Sequence, residues 1–242
     1  MISIVIPLYN EEENIETLTN EIVTVSKSIP VTEIVCVNDA STDKTEEVLK
    51  NLKRTTPLIK IVSHGVQSGQ TAAMWSGVHE AANDVVIFMD GDGQNDPADM
   101  IKVYQSFQQH AGNKTFGIMV AGQRVGRKDT WIKKISSRLA NAIRSAALRD
   151  GTRDTGCSLK LVCKSDFLSL PYFDHMHRFL PALFNRDGVK VLHVDVSHRP
   201  RLRGVSKYGF WDRLRVGISD LLGVMWLCLR GRPRNYSRKL VD

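Results

Sequence analysis

The sequence predicts an α/β fold, with a mostly parallel central sheet covered by helices on both faces and an amphipathic interfacial helix near the C-terminal end. Three observations carry this. Short apolar runs rich in β-branched residues alternate with helix-period segments. The runs are near-continuously apolar, as strands buried on both faces must be. Small polar clusters follow them, at the strand ends where open α/β sheets bind ligands.

Taken in order, Ile2–Pro7, Glu33–Asn38, Leu58–Ser63 and Asp84–Met89 read as strands, and Asn14–Ser28, Asp43–Lys53 and Gly69–Ala82 as the helices between them. Asp43 with Glu46 has the spacing of a capping box. The opening "MISIVIPLYN" lacks the basic n-region and long apolar core of a signal peptide and reads as the first strand. After Arg124 the pattern changes: Trp131–Leu148 reads as a basic amphipathic helix, 158–163 and 189–198 as strands, and Trp211–Leu229 as a second amphipathic helix. We expect residues 1–209 to form one catalytic domain and 210–242 a membrane-associated helix with a basic tail.

A chain of 242 residues, 42% of them hydrophobic, buries a sizeable core. Its 33 Lys and Arg against 26 Asp and Glu give a net charge of +7, and most of the surplus follows Arg124, so the second half is expected to meet something anionic. Cys36, Cys157, Cys163 and Cys228 are scattered without CxxC or zinc-ligand spacing, which fits a reducing cytoplasm. No run reaches the roughly 18–20 apolar residues of a spanning helix. Neither GxGxxG after the first strand nor GxxxxGK[ST] is present, which argues against a dinucleotide dehydrogenase and a P-loop NTPase.

The stretch "MDGDGQNDP" places three carboxylates and two glycines between Asp90 and Pro97, where a buried strand ends. An EF-hand is excluded by Asn95 at the sixth position and Ile101 at the twelfth. Asp90 and Asp92 can share one edge of the sheet, and hard oxygen ligands in that number suit Mg²⁺ or Mn²⁺ bridging to a diphosphate. Asp96 and Pro97 suit the start of the next helix.

"IVIPLYNEEENI", "VCVNDASTDKT", "SGQTAAMWSG" and "VVIFMDGDGQNDP", in that order, resemble the GT-A domain of family 2 glycosyltransferases. "AGQRVGRKDTWIKKISSRLAN", "RDTGCSLKLVCK" and "RLRGVSKYGFWDRLRVGI" narrow the resemblance to the polyprenyl- and dolichyl-phosphate sugar synthases. It implies that Pro7, Tyr9, Asn10, Glu11, Asp39, Gly69 and Asp90 receive a nucleotide-sugar, and that Asp90, Asp92 and Gln94 assemble the metal and diphosphate. It further implies that Arg124, Lys133, Ser137, Arg201, Arg203 and Lys207 gather around an acceptor phosphate. Lys133 stands where an Arg is expected, a point charge in place of a fork.

Asp92, Arg124 and Asp154 are the expected catalytic residues, with Asp154 either orienting an arginine or acting as a base. The expected reaction is inverting transfer of a sugar from a UDP- or GDP-sugar to polyprenyl phosphate. That acceptor needs no general base, because a phosphate monoester has its second pKa near ~6. The rival is a family 2 enzyme acting on a saccharide, glycolipid or protein hydroxyl.

On a helical wheel Trp211, Leu214, Ile218, Leu221, Leu222, Met225 and Leu229 share a sector of about 100°. Arg213, Arg215, Arg230, Arg232 and Arg234 flank or end that helix. The reading is peripheral attachment to the cytoplasmic face of a membrane. The aromatic residues show no stacking pattern for nucleic acid, and a homo-oligomer is left open.

Overall fold

The computed structural model describes residues 1–112, 116–125, 144–145, 147–148, 150–200 and 210–230. Strand β1 (Ile2–Leu8), α1 (Ile15–Val25), β2 (Val31–Asn38), α2 (Thr45–Thr55), β3 (Ile59–Ser63), α3 (Gln70–Glu80) and β4 (Val85–Phe88) alternate in the predicted order. They are followed by α4 (Asp99–Ala111), β5 (Ile118–Arg124), β6 (Lys160–Cys163), α5 (Lys164–Leu168), a 3-10 turn (Met176–Arg178), α6 (Leu180–Arg186), β7 (Lys190–Val196) and α7 (Phe210–Leu229).

The seven strands run in the order β3-β2-β1-β4-β6-β5-β7. Only β6 is antiparallel to its neighbours, β4 and β5; the other pairings are parallel. The chain moves outward from β1 to β3 and then crosses to place β4 on the other side of β1. That reversal opens a crevice at the carboxyl ends of β1 and β4.

The period-2 alternation of each strand divides the core into two layers. Ile2, Ile4, Ile6 and Leu8 face Ile15, Leu18 and Ile22 of α1, Leu49 of α2 and Met100, Val103 and Phe107 of α4. Val5, Val35, Val37 and Phe88 face Ala73, Met74 and Val78 of α3, Leu183 and Phe184 of α6 and Val224 of α7. Helix α3 lies very close to the sheet because Gly77 has no side chain: a Cβ there would stand 2.4 Å from Val5 Cγ1 and 3.0 Å from Val37 Cγ2.

Four sequence expectations are corrected. The capping box does not form: Asp43 accepts from the amides of Thr45 and Glu12, and Glu46 pairs with Lys50 at 2.6 Å. Strand β5 was not foreseen, because "IMVAGQR" mixes small and polar residues; yet its Gly122 is required where a Cβ would sit 2.9 Å from the Leu159 carbonyl. The predicted basic helix Trp131–Leu148 lies outside the described residues except at its end. There Arg144, one of the cations of that expected basic helix, is buried against Asp150 and the Thr152 carbonyl.

The stripe on α7 is also split between two surroundings. Leu221 and Met225 pack on the core with Val224 and Cys228, whereas Ile218, Leu222 and Leu229 face outward beside Trp226. No helix among the described residues is long and apolar enough to cross a membrane.

Gly77→Val forces α3 off β1 and is expected to lower unfolding stability by about 1–3 kcal/mol. Gly223→Ala, where an added Cβ meets nothing within 4 Å, is expected to leave it unchanged or raise it slightly. Urea denaturation of the two variants checks both.

Candidate active site

Three loops at the carboxyl edge of the sheet are bound to one another. After β1, Asn10 takes a left-handed φ of 54°, and after β2, Ala40 takes 55°. For residues other than glycine such angles persist only where the surroundings impose them. Here the Asn10 amide donates to Ser41 Oγ at 3.0 Å, and the Thr42 amide donates to Asn10 Oδ1 at 2.7 Å. The Glu11 amide donates to Thr45 Oγ1 at 2.9 Å, and its carboxylate accepts from Asn14 Nδ2 at 2.8 Å. Pro7 and Tyr9, half-buried, complete this rim.

Asp39 directly follows β2 and is 3% exposed. One carboxylate oxygen accepts from the Ser68 amide at 2.8 Å and meets His64 Nδ1 at 2.7 Å; the other accepts from the Gly69 amide at 2.8 Å. His64 Nε2 continues to Ser76 Oγ at 2.9 Å on α3. Gly69, with φ 89°, is the turn into α3. A side chain expected to receive the nucleotide-sugar therefore also orders the 64–69 loop beside the crevice.

Across the switch point, β4 ends in Asp90, Gly91 and Asp92. A Cβ at Gly91 would lie 2.3 Å from Leu8 Cδ2, so glycine lets this loop close onto the end of β1 without displacing that side chain. Asp90 accepts from Gln70 Nε2 at 2.8 Å. Burial, reinforced by the charge of Asp92, pushes the Asp90 carboxyl up to about 6, against the opposing pull of Ser158, Lys160 and Arg124. Asp92, 7% exposed, accepts from the Gln94 amide at 3.1 Å.

Two mutually repelling carboxylates, Asp92 buried and Asp90 half-buried, fit a divalent cation. Among the described residues no cluster of three His, Cys, Asp or Glu forms a full cage. Mg²⁺ or Mn²⁺ held through one or two carboxylates keeps its other positions for water and substrate phosphates. Asp96 opens α4 by accepting from the Ala98 amide at 2.9 Å, and it also pairs with Arg199 at 2.9 Å. Arg199 in turn donates its amide to the Gln94 carbonyl at 3.0 Å and pins the loop from behind.

Arg124, at the end of β5, reaches Asp154 through a two-pronged contact: Nε to Oδ2 at 2.7 Å and Nη2 to Oδ1 at 2.9 Å, with the Arg124 amide on Oδ2 at 3.2 Å. Burial works against its charge, but the hydrogen bonds and charge of Asp154 outweigh it, and the guanidinium pKa stands above its ordinary value. Of the other expected acceptor residues, Lys133, Ser137, Arg201, Arg203 and Lys207 lie outside the described residues.

Sequence reading missed several side chains that line the pocket beside Asp90. They are Gln70, Ser158, Lys160 and His177, which join Pro7, Met74, Phe88 and Met89. Lys160 had a legible signal, a lone cation within an otherwise apolar strand. His177 had none, because it reaches the site through a 3-10 turn that no periodicity announces.

The topology and the strand-end carboxylates define a GT-A-like fold. The comparisons agree with it: the glucosyl-3-phosphoglycerate synthase of Mycobacterium tuberculosis, solved with Mn²⁺, UDP and phosphoglyceric acid, superposes with a TM-score of 0.70 at 21% identity, covering 93% of this chain and 78% of that one. The family model for glycosyl transferase family 2 matches residues 3–169.

This chain belongs to glycosyl transferase family 2 and is a glycosyltransferase. It is 33% identical over 243 residues to the dodecaprenyl-phosphate galacturonate synthase of Rhizobium johnstonii, covering 97% of this chain and 70% of that protein. It is 29% identical over 235 residues to the undecaprenyl-phosphate 4-deoxy-4-formamido-L-arabinose transferase of Photorhabdus laumondii, covering 96% and 69%.

His177 provides a pH test of the site's packing. Burial, aided by Arg178, Lys160 and His175, lowers its pKa to about 3, while its Nδ1 lies 2.8 Å from Thr71 Oγ1. The folded state refuses a proton that the unfolded chain accepts below about 6.5. Stability from this group is thus complete above pH 6.5 and is lost progressively toward pH 3, by about 2–3 kcal/mol at pH 4.5. Urea titrations at pH 7.5 and 4.5 should show that difference shrinking in His177→Gln.

Proposed function

We propose that the protein transfers a sugar, with inversion, from a UDP- or GDP-sugar to a polyprenyl phosphate, in a reaction that depends on Mg²⁺ or Mn²⁺. The observation that carries this reading is the carboxylate pair Asp90 and Asp92 at the switch point, with the charge of Arg124, fixed by Asp154, felt at Asp90. The names of the relatives support a polyprenyl phosphate acceptor. The Mn²⁺ and UDP of the structural neighbour support the metal and the diphosphate.

In this reading Pro7, Tyr9, Asn10, Glu11, Asp39 and Gly69 receive the nucleoside, and Asp90, Asp92 and Gln94 hold the metal. The metal, when bound, neutralises the diphosphate and eases its departure. Arg124 tempers repulsion between acceptor phosphate and diphosphate, a preorganised charge aimed at the reacting centre. Lys133, Ser137, Arg201, Arg203 and Lys207 complete the acceptor side. Asp154 spends both carboxylate oxygens on Arg124, so its role is to aim the guanidinium. The acceptor, already ionised, supplies its own nucleophile.

The outward stripe of Ile218, Leu222, Trp226 and Leu229, with Arg230 5.8 Å over the Trp226 ring, supports peripheral attachment to the cytoplasmic face of a membrane. The four cysteines, all free and mostly buried, fit that compartment.

Purified protein incubated with UDP- and GDP-sugars, Mn²⁺ or Mg²⁺ and undecaprenyl phosphate should yield an organic-extractable sugar. Glycosylation of a soluble hydroxyl acceptor, with none of the lipid, would sink the reading. Asp92→Asn should lower turnover by on the order of 10²–10³-fold. Asp154→Asn should lower kcat without removing the acidic limb of the pH profile, the limb a general base would produce, with thermal melts checking the fold, since breaking a buried pair costs about 3–5 kcal/mol. Flotation with anionic vesicles should weaken at least severalfold when Leu222 and Trp226 are both replaced by Ser.

A further inference from the structure

Lys160 is a cation that the proposed chemistry does not use. It sits on β6 opposite Phe88 of β4 and is 4% exposed. Its ammonium donates to the backbone carbonyls of Cys157 and, at 3.5 Å, Thr155. Among the described residues no carboxylate stands within ion-pair distance of it; Asp90 and Asp154 act on its charge only from farther away. Both are committed elsewhere, Asp154 to Arg124 and Asp90 to Gln70 and, in the reading above, to the metal.

A buried ammonium satisfied only by neutral carbonyls still lacks a counter-charge. It has three protons to donate and two carbonyl partners. The pocket it lines adjoins Asp90, and its other polar walls are Gln70, Ser158 and His177. His177 stays neutral, so Lys160 is the lining cation that can pair with a ligand anion.

We propose that Lys160 determines donor specificity: the sugar of a nucleotide-activated hexuronic acid lies over the mouth of the small pocket beside Asp90, and its carboxylate turns in to meet the ammonium. This rests on the reading of Asp90 and Asp92 as the diphosphate site, which puts the sugar next to that pocket. Gln70 and Ser158, also on the pocket's wall, offer neutral hydrogen bonds at its mouth.

The test is titration calorimetry with Mn²⁺ and matched donors: UDP-glucuronic and UDP-galacturonic acid against UDP-glucose and UDP-galactose, and GDP-mannuronic acid against GDP-mannose. A hydrogen bond to a charged group contributes ~1.5–3 kcal/mol, so one uronate should bind roughly 10- to 100-fold tighter than its neutral counterpart. In Lys160→Met that ratio should fall to near unity while binding of the free nucleoside diphosphate is retained. Equal or tighter binding of the neutral sugars by the wild type overturns the proposal, whatever the variant's fold. An equal loss for UDP or GDP alone in Lys160→Met also overturns it, because the cation would then serve the diphosphate. Binding of none of these donors overturns the diphosphate-site reading and this inference with it.

Discussion

The arrangement depends on one constraint: two carboxylates, Asp90 and Asp92, must lie side by side at the buried end of β4. Like charges in a poorly solvated place repel, and the Asp90 carboxyl, held up at about 6, records that cost. The surrounding structure is organised to hold them. Gly91 lets the loop close against Leu8, Gln70 donates to one carboxylate, and the Gln94 amide donates to the other. Cations approach from the far side, where the reversed strand β6 carries Lys160 and the end of β5 carries Arg124. A strand parallel to β4 would deliver its carboxyl end to this edge; β6 delivers its beginning, and with it Ser158 and Lys160.

The same edge stores local strain. All three residues other than glycine with positive φ, among those described, are Asn10, Ala40 and His175, and each belongs to a loop at or beside the crevice. Asn10 and Ala40 are held by hydrogen bonds between the β1 and β2 loops, not by helix or sheet. Asp39 extends that lacing to the 64–69 loop through His64 and two backbone amides. Distinct segments are thereby fixed relative to one another before a ligand arrives, which reduces the ordering a ligand must impose.

Much of this was legible in the sequence because burial on both faces leaves an unambiguous pattern. The strands from Ile2 to Phe88 are predominantly apolar, and helix-period segments lie between them, so the alternating order was readable to within a few residues. The strand-end carboxylates were readable for the opposite reason: charge directly after such a run has few structural uses. Ile118–Arg124 escaped because its role is set by neighbours. Gly122 and Gln123 look like a loop until β6 and β7 cover them. His177 escaped because its partner, Thr71, is a distant contact that no local spacing encodes; Lys160 was visible as a lone cation, bonded to carbonyls only three and five residues before it, but its place beside Asp90 depends on the antiparallel pairing of β6 with β4.

Helix α7 shows why a one-dimensional pattern can be right about composition and wrong about surroundings. A sector of about 100° was expected to face one apolar phase. The helix has two instead, with Val224, Leu221 and Met225 set into the core and Ile218, Leu222 and Trp226 turned away from it. Its seat lies close to the crevice: Asp220 stands 3.8 Å from His175, and His177, two residues on, lines the pocket beside Asp90. Burial raises the pKa of Asp220, and His175 and Arg178 oppose that rise, so this contact is electrostatic as well as steric. The segment that receives α7 therefore also supplies a wall of the pocket, and a shift of the helix on its seat would be felt where the carboxylates lie. A surface helix with apolar residues on both sides is held by whichever phase it touches, and here one of those phases is continuous with the wall of the crevice.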